Sequence, residues 1–457
     1  MIAALFALVY LYLLGYAFLI FIQFKDNFPV NFALAGLTGM GLTTILMFVL
    51  EVIGFAISPL NMILVGMLVI VLFLYRDLRR KNFSHWQNYV KIRLDWRNWN
   101  SMELSIMLVV AFLWLASFVK NMYWPVQAYD SVAGYDLMAK VISVEQTLNV
   151  SLHRFKLAGA RGIYPPQIEG IFAFFYLMGS PSAKIVNSLF FLSLILLFYN
   201  ICKKWTTGTA AAFFTLLLVM TPEMWAHGSL SLTNLPAATF GAGGVLFLYL
   251  WWKEQQSVHL VLSGLCLGLN TWTRSDGVAF NLAAAIVLFF IVMHKRHFLP
   301  WLYHSLLSFL PFVLWQIYLK IAIHAESTER FRHELFWDPK LLNTIFNYLK
   351  VLFFNTSLYG VVFYIFIALF LINIRYFKQN WPLLLYLFLS FIFYTIIYYQ
   401  LNPEVQDSIH TMMRTSYKRA IFYYIPVVLL YSALSPQTLR FFNWVEVKYQ
   451  RAILGRS

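Results

Sequence analysis

Apolar runs of about 17 to 25 residues recur along almost the whole chain, the length that a helix needs to cross a bilayer core of roughly 30 Å. Lipid offers backbone N–H and C=O groups no partner, so a crossing run must be helical; the alternating segments of about ten residues that build a barrel are absent. Of the 457 residues, 61% are hydrophobic and only 12% charged, and the mean hydropathy is +0.68. A soluble chain of this length needs far more charge to cover its surface. The sequence therefore predicts an all-α polytopic membrane protein.

About 13 spans are predicted on length and apolarity, over 2–22, 31–57, 59–75, 103–122, 184–202, 208–226, 236–252, 258–273, 277–293, 301–321, 352–374, 382–400 and 419–434. The loop after the third carries Arg76, Arg79, Arg80, Lys81, Lys91, Arg93 and Arg97, a density that marks it cytoplasmic. The same count puts Lys25, Lys203, Lys204, Lys253, Lys295, Arg296, Arg375, Lys378 and the tail with Arg440, Lys448, Arg451 and Arg456 inside, with the N-terminus outside and the C-terminus cytoplasmic. The first run has no basic stretch before it and no small-residue cleavage site, so it reads as a retained span. Ile168–Met178 is too short to cross and reads as a half-buried or interfacial helix.

Four polar stretches, 123–183, 222–235, 322–350 and 401–418, then share the extracytoplasmic face, joined by the turn Arg274–Gly277. No internal repeat or separate soluble domain is visible, so chemistry must be assembled from these loops. The net charge of +15 is explained by cytoplasmic loops and anionic head groups, and no nucleic-acid motif accompanies it. Cys202 and Cys266 lie in or beside apolar runs without CxxC spacing, so neither a disulfide nor a zinc site is expected.

The densest polar stretch runs from Trp124 to Pro166. Val132, Tyr135, Met138, Ala139 and Ile142 recur at helical spacing after Asp130, giving a helix with one apolar stripe in the membrane interface. Asp130 at its start fits an N-cap as readily as a catalytic base, and Ser131 could cap equally well. Around it gather Asp136, Lys140, Arg154, Lys156, Arg161 and Glu169. A carboxylate here can take a proton and the cations can hold a lipid phosphate, although head-group contact is the plain reading of any single Lys or Arg.

The segment YDSVAGYDLMAK resembles the WD-x-x-x-x-W-x-x-KAK pattern of bacterial GT-C glycosyltransferases, the membrane enzymes that use polyprenyl-phosphate sugars, and IYPP is similar to their YPPL element. TPEMWAHGSLSLTNLPAATF resembles the family's loop with T-D-L-P, NTWTRSDG its W-T-K-x-E-G turn, and TSYKRAIFYYIP a late span opened by Arg. The order matches over roughly 103–320. Tyr129 stands for the family's tryptophan, Asn234 for the loop acid, Arg274 for the lysine and Asp276 for the glutamate. The resemblance implies a GT-C-like helical bundle with interfacial helices in the first large extracytoplasmic loop, organised as an additional three-span region 1–100 with a basic cytoplasmic loop, a GT-C-like catalytic module 101–320, and a C-terminal part 321–457.

It further implies a transferase of the bacterial inner membrane that moves a sugar from a polyprenyl-phosphate donor to a hydroxyl acceptor on a lipid, glycan or protein. Asp130 would be the general base, and Lys140, Arg161, Arg274 and Arg419 would lie by the donor phosphate. Asp136, Glu169, Glu223, His227, Asn234 and Asp276 are secondary candidates. No cofactor is required; a divalent cation at His227 or Glu223 stays open, though no HxxH or HExxH spacing supports it. A lipid-linked saccharide flippase and an oligosaccharide ligase are the rivals. Glu51, inside a span, reads as a packing or lipid-gating contact, Glu103 as a helix-dipole partner, and 326–338 as a solvated amphipathic helix or an acceptor lid.

Overall fold

A computed structural model describes residues 2–80, 86, 99–154, 164–295, 298–324, 337–401 and 409–454. Among them all regular structure is helical. In chain order the principal helices are α1 (Ile2–Phe21), α2 (Phe28–Val52), α3 (Pro59–Arg80), α4 (Ser101–Tyr123), α5 (Asp136–Glu145), α6 (Gln167–Leu177), α7 (Ile185–Lys203), α8 (Gly208–Met220), α9 (Pro222–Gly228), α10 (Asn234–Glu254), α11 (Ser257–Thr273), α12 (Val278–Lys295), α13 (Leu299–Ile321), α14 (Pro339–Phe353), α15 (Val362–Ile372), α16 (Trp381–Tyr399), α17 (Ile425–Ala433) and α18 (Pro436–Leu454).

Nine helices among the described residues are long and apolar enough to cross a membrane, or up to eleven if each of two bent pairs makes one span. The chain is thus a multi-pass membrane protein, with fewer clear crossings than the 13 expected. Local chemistry explains the difference. Pro222 cannot donate to the α8 ladder and pushes Thr221 into the extended region (ψ 118°), so the expected span 208–226 breaks with a 73° bend. Pro436 similarly turns α18 by 65° from the preceding helical run. The expected span 352–374 is cut where Asn355 caps Ser357 N at 3.0 Å and Gly360 takes φ +59°, a conformation that glycine tolerates best. The helix over 258–273 is real, but α11 has only 17 residues.

Small residues set the close packing. A Cβ at Gly15 of α1 would fall 1.9 Å from Ala35 O of α2, and one at Gly268 of α11 would fall 2.5 Å from Leu307 O of α13. Backbones that approach this closely gain dispersion contacts that lipid cannot replace.

The polar contacts segregate to the two ends of the bundle. At one end Lys204 pairs with Asp26 at 2.7 Å, Asn27 donates to Asn200 at 2.8 Å, and buried Glu103 engages Lys203 and Tyr199. Glu103 is therefore an ion-pair partner as well as a first-turn acid. At the other end the carboxylate of Glu51 accepts from Thr147 Oγ1 at 2.9 Å, Leu148 N at 2.8 Å and Tyr318 OH at 2.9 Å. Glu51 is thus a fully satisfied clamp between α2, the chain just after α5, and α13.

The amphipathic helix expected after Asp130 forms with an altered start. Ser131–Tyr135 is one π turn that leads into α5. Tyr135, Met138, Ala139 and Ile142 are buried as the stripe requires, whereas Val132 is 51% exposed, because the wider π turn shifts the register at that position. Helix α6 is buried on all sides from Gln167 to Phe175, packed between α5 and α2. It lies inside the protein, not along an interface.

Candidate functional site

Five separated segments converge at the Glu51 end of the bundle: the π turn, the loop entering α10, the turn between α11 and α12, the end of α16, and residues 413–424. Asp130 makes no side-chain capping bond, and the buried Ser131 Oγ has no partner, so neither residue serves as the cap that its position allows. Instead Arg419 Nη1 donates to Asp130 Oδ2 at 2.7 Å, with both side chains about one-third exposed (32% and 28%). The pair is therefore open to a competing ligand.

Beside it sits a largely buried hub. Arg274 ends α11 in extended backbone and donates to Asp276 through Nη2 at 2.8 Å and Nε at 3.0 Å, to Asn234 Oδ1 at 2.9 Å, and to Thr233 Oγ1 at 3.3 Å. Its guanidinium lies 5.6 Å over the Tyr164 ring. Tyr394 OH donates to Asp276 at 3.0 Å, Tyr423 OH to Asn234 at 3.3 Å, and Thr233 Oγ1 to Tyr135 OH at 3.3 Å. Burial alone would lower the Arg274 pKa, but the charge of the Asp276 carboxylate and its hydrogen bonds outweigh it and hold the guanidinium well above its ordinary value. Asn234 thus works as a neutral acceptor, which leaves Asp276 to match the Arg274 charge.

A third group adjoins Arg419 in sequence: Lys418 Nζ lies 3.6 Å from Glu223, whose other oxygen is 3.4 Å from His227 Nε2. His227 Nδ1 is buried without a partner. No group of three or more His, Cys, Asp or Glu side chains comes together as a metal site among the described residues.

Of the residues expected from sequence, Asp130, Arg419, Arg274, Asp276, Asn234, Glu223 and His227 fall in these neighbouring groups. Lys140 does not meet Asp130; it pairs with Asp136 at 2.8 Å above the Tyr176 ring at 5.7 Å, while Tyr176 OH donates to Asp136. That i,i+4 pair neutralises itself. Arg161 lies outside the described residues, as do Lys156 and most of 326–338. The hub tyrosines Tyr135, Tyr394 and Tyr423 and the base of the third group, Lys418, were not singled out for polar roles by the sequence. The one available signal was Tyr394 and Tyr398 at i,i+4 on an otherwise apolar helix.

Glu169 on α6 is 4% exposed and its Oε1 has no hydrogen-bond partner. Burial pushes its pKa up to about 8. The folded protein then binds a proton that the unfolded chain releases, so this group's stabilising contribution is complete below about pH 4.5 and is lost as pH rises to about 8. Thermal unfolding of Glu169→Gln followed across this range should lack the downward slope of the wild type. Parallel profiles for the two proteins would show that Glu169 is already ionised in the fold.

An apolar cleft of about 630 Å³ opens between α14, α15, α16 and α17, lined by Phe353, Phe363, Phe391 and neighbouring phenylalanines, with Lys350 and Tyr424 also on its wall. Tyr424 packs 5.5 Å from Phe280, which packs 5.6 Å from the hub residue Tyr423. Phe280 therefore bridges the cleft wall and the hub residue Tyr423. Compared with known proteins, the chain matches no family model, no curated protein and no solved structure.

Proposed function

We propose that the protein is a GT-C-type inverting glycosyltransferase that moves a sugar from a polyprenyl-phosphate donor to a hydroxyl acceptor on the extracytoplasmic side of a bacterial inner membrane. The observation that carries this reading is the open Asp130–Arg419 pair standing beside the largely buried Arg274 hub, at the one bundle end where the resembling motifs meet.

In this scheme the donor phosphate takes Arg419 away from Asp130, because a guanidinium offers a phosphate a bidentate fork. With Arg419 turned to the phosphate, Asp130 accepts the proton of the acceptor hydroxyl. The acceptor oxygen forms its bond to the anomeric carbon as the bond from that carbon to the phosphate oxygen breaks, and the pair of electrons leaves with polyprenyl phosphate. A phosphate leaving group needs cations more than a general acid. Arg274 stays fixed by Asp276 and contributes field and position. The apolar cleft beside Tyr424 suits the isoprenoid tail, and no metal is needed to balance the reaction.

The test uses full-length protein in proteoliposomes with a polyprenyl-phosphate sugar and candidate hydroxyl acceptors. Release of polyprenyl phosphate in step with appearance of glycosylated acceptor is expected. Movement of the intact donor between leaflets without its consumption would replace this reading with the flippase.

A further inference from the structure

A second cavity, of about 250 Å³, lies where the end of α4 and residues 124–128 meet Lys184 and residues 229–231. Its polar lining residues are Lys120, Asn121, Gln127, Lys184, Ser229 and Ser231, and Trp124 lines it as well. Among the described residues no carboxylate lines it. Lys184 Nζ is held in place by the carbonyl oxygens of Met122 at 2.9 Å and Trp124 at 2.8 Å. An ammonium has three protons, so one donor remains for a ligand. Lys120 lies 4.9 Å over the Trp225 ring, a contact that orients its charge without neutralising it. Neither lysine forms an ion pair among the described residues.

Two cations in one small cavity, with no acid among its described lining residues, favour an anion. Trp124 is 52% exposed and the adjoining Tyr123 80% exposed, at the end of a membrane-crossing helix. Aromatic side chains so placed sit at head-group depth, where lipid phosphates are found. The volume is below the roughly 300–1,000 Å³ usual for small-molecule sites, so it suits a phosphate with a few attached atoms and excludes an oligosaccharide. Of its lining residues, Ala128 is two residues from Asp130 in sequence and Ser231 is three from Asn234.

We propose that this cavity seats the phosphate of an anionic lipid head group whose hydroxyl is presented to Asp130. The anion site stands on its own geometry; its role as the acceptor seat rests on the transferase reading.

Detergent-solubilised full-length protein, exposed separately to phosphatidylglycerol and to phosphatidylcholine, is examined by native mass spectrometry for retained lipid, with inorganic phosphate as competitor. Wild type should retain phosphatidylglycerol preferentially, and inorganic phosphate should displace it. Lys120→Gln should weaken that retention by about fivefold, and Lys120→Arg should keep it. Equal retention of the two lipids by wild type, or a Lys120→Gln protein that matches wild type, overturns the proposal. Lys120-dependent binding of inorganic phosphate with no retained phosphatidylglycerol would assign the anion site to free phosphate and overturn the lipid seat. Retention is read without turnover, so a wild-type protein that retains phosphatidylglycerol but transfers no sugar sinks the transferase reading alone.

Discussion

Asp130→Asn is expected to slow sugar transfer by about two to four orders of magnitude, the range contributed by a positioned general base, while the protein remains folded. The two halves of this expectation have different physical sources. The Asp130–Arg419 pair is about one-third exposed on both sides, and pairs of this kind contribute roughly 0–1 kcal/mol to stability because solvent screens them. Asparagine keeps the size and one acceptor oxygen but cannot take a proton. Donor turnover in proteoliposomes, read beside the thermal midpoint of the same preparation, separates the roles. A variant with wild-type turnover would remove Asp130 as base, and one that loses stability and activity together would make the pair structural. Arg419→Lys should retain the charge but lose the bidentate fork, so its defect should show in donor KM before kcat.

The fold was largely legible because lipid reduces the choices to helices of one length range, and charge then marks their ends. The contacts at the two ends agree with that reading: Asp26 meets Lys204 at one, and Asp130 meets Arg419 at the other. What hydropathy could not show was continuity. An apolar window counts Thr221 and Pro222 as part of a span, although the proline breaks the ladder, and it passes over Gly360, whose positive φ ends one helix segment and begins another. Hydropathy also read α6 as half-buried or interfacial, since a short apolar helix looks the same on a surface as it does buried between α5 and α2.

The polar site was legible where its residues were unusual for their surroundings. An aspartate after an aromatic-proline turn and an arginine closing an apolar helix stand out in such a chain. Tyr394 and Tyr423 do not, because aromatic residues make up 19% of it and most of them face lipid or core. Their hydroxyl partners, Asp276 and Asn234, lie more than a hundred residues away, and only the folded bundle brings them together. Lys140 illustrates the opposite error. Its position in the resembling motif pointed to the donor phosphate, but Asp136 one helical turn earlier captures its charge.

The largest effect on stability is expected from Asp276→Ala. Arg274 and Asp276 are 13% and 17% exposed at their side chains, and the Arg274 bonds to Asn234 and Thr233 carry no charge to balance its own. Removing the carboxylate therefore leaves a nearly buried guanidinium uncompensated and takes the acceptor from Tyr394 OH. Breaking a buried pair from one side costs about 3–5 kcal/mol, which should appear as a large drop in the thermal midpoint of the detergent-solubilised protein. Replacing both partners is a different experiment. In Arg274→Gln/Asp276→Asn no charge is stranded and most of the hydrogen-bonding shape survives, so the double variant should be more stable than Asp276→Ala even though it carries more changes. That inversion is the signature of a charge pair whose members are costly to bury separately. A double variant at least as unstable as the single one would mean that Asp276 stabilises the turn through its backbone geometry, with the Arg274 charge already satisfied by its remaining neighbours.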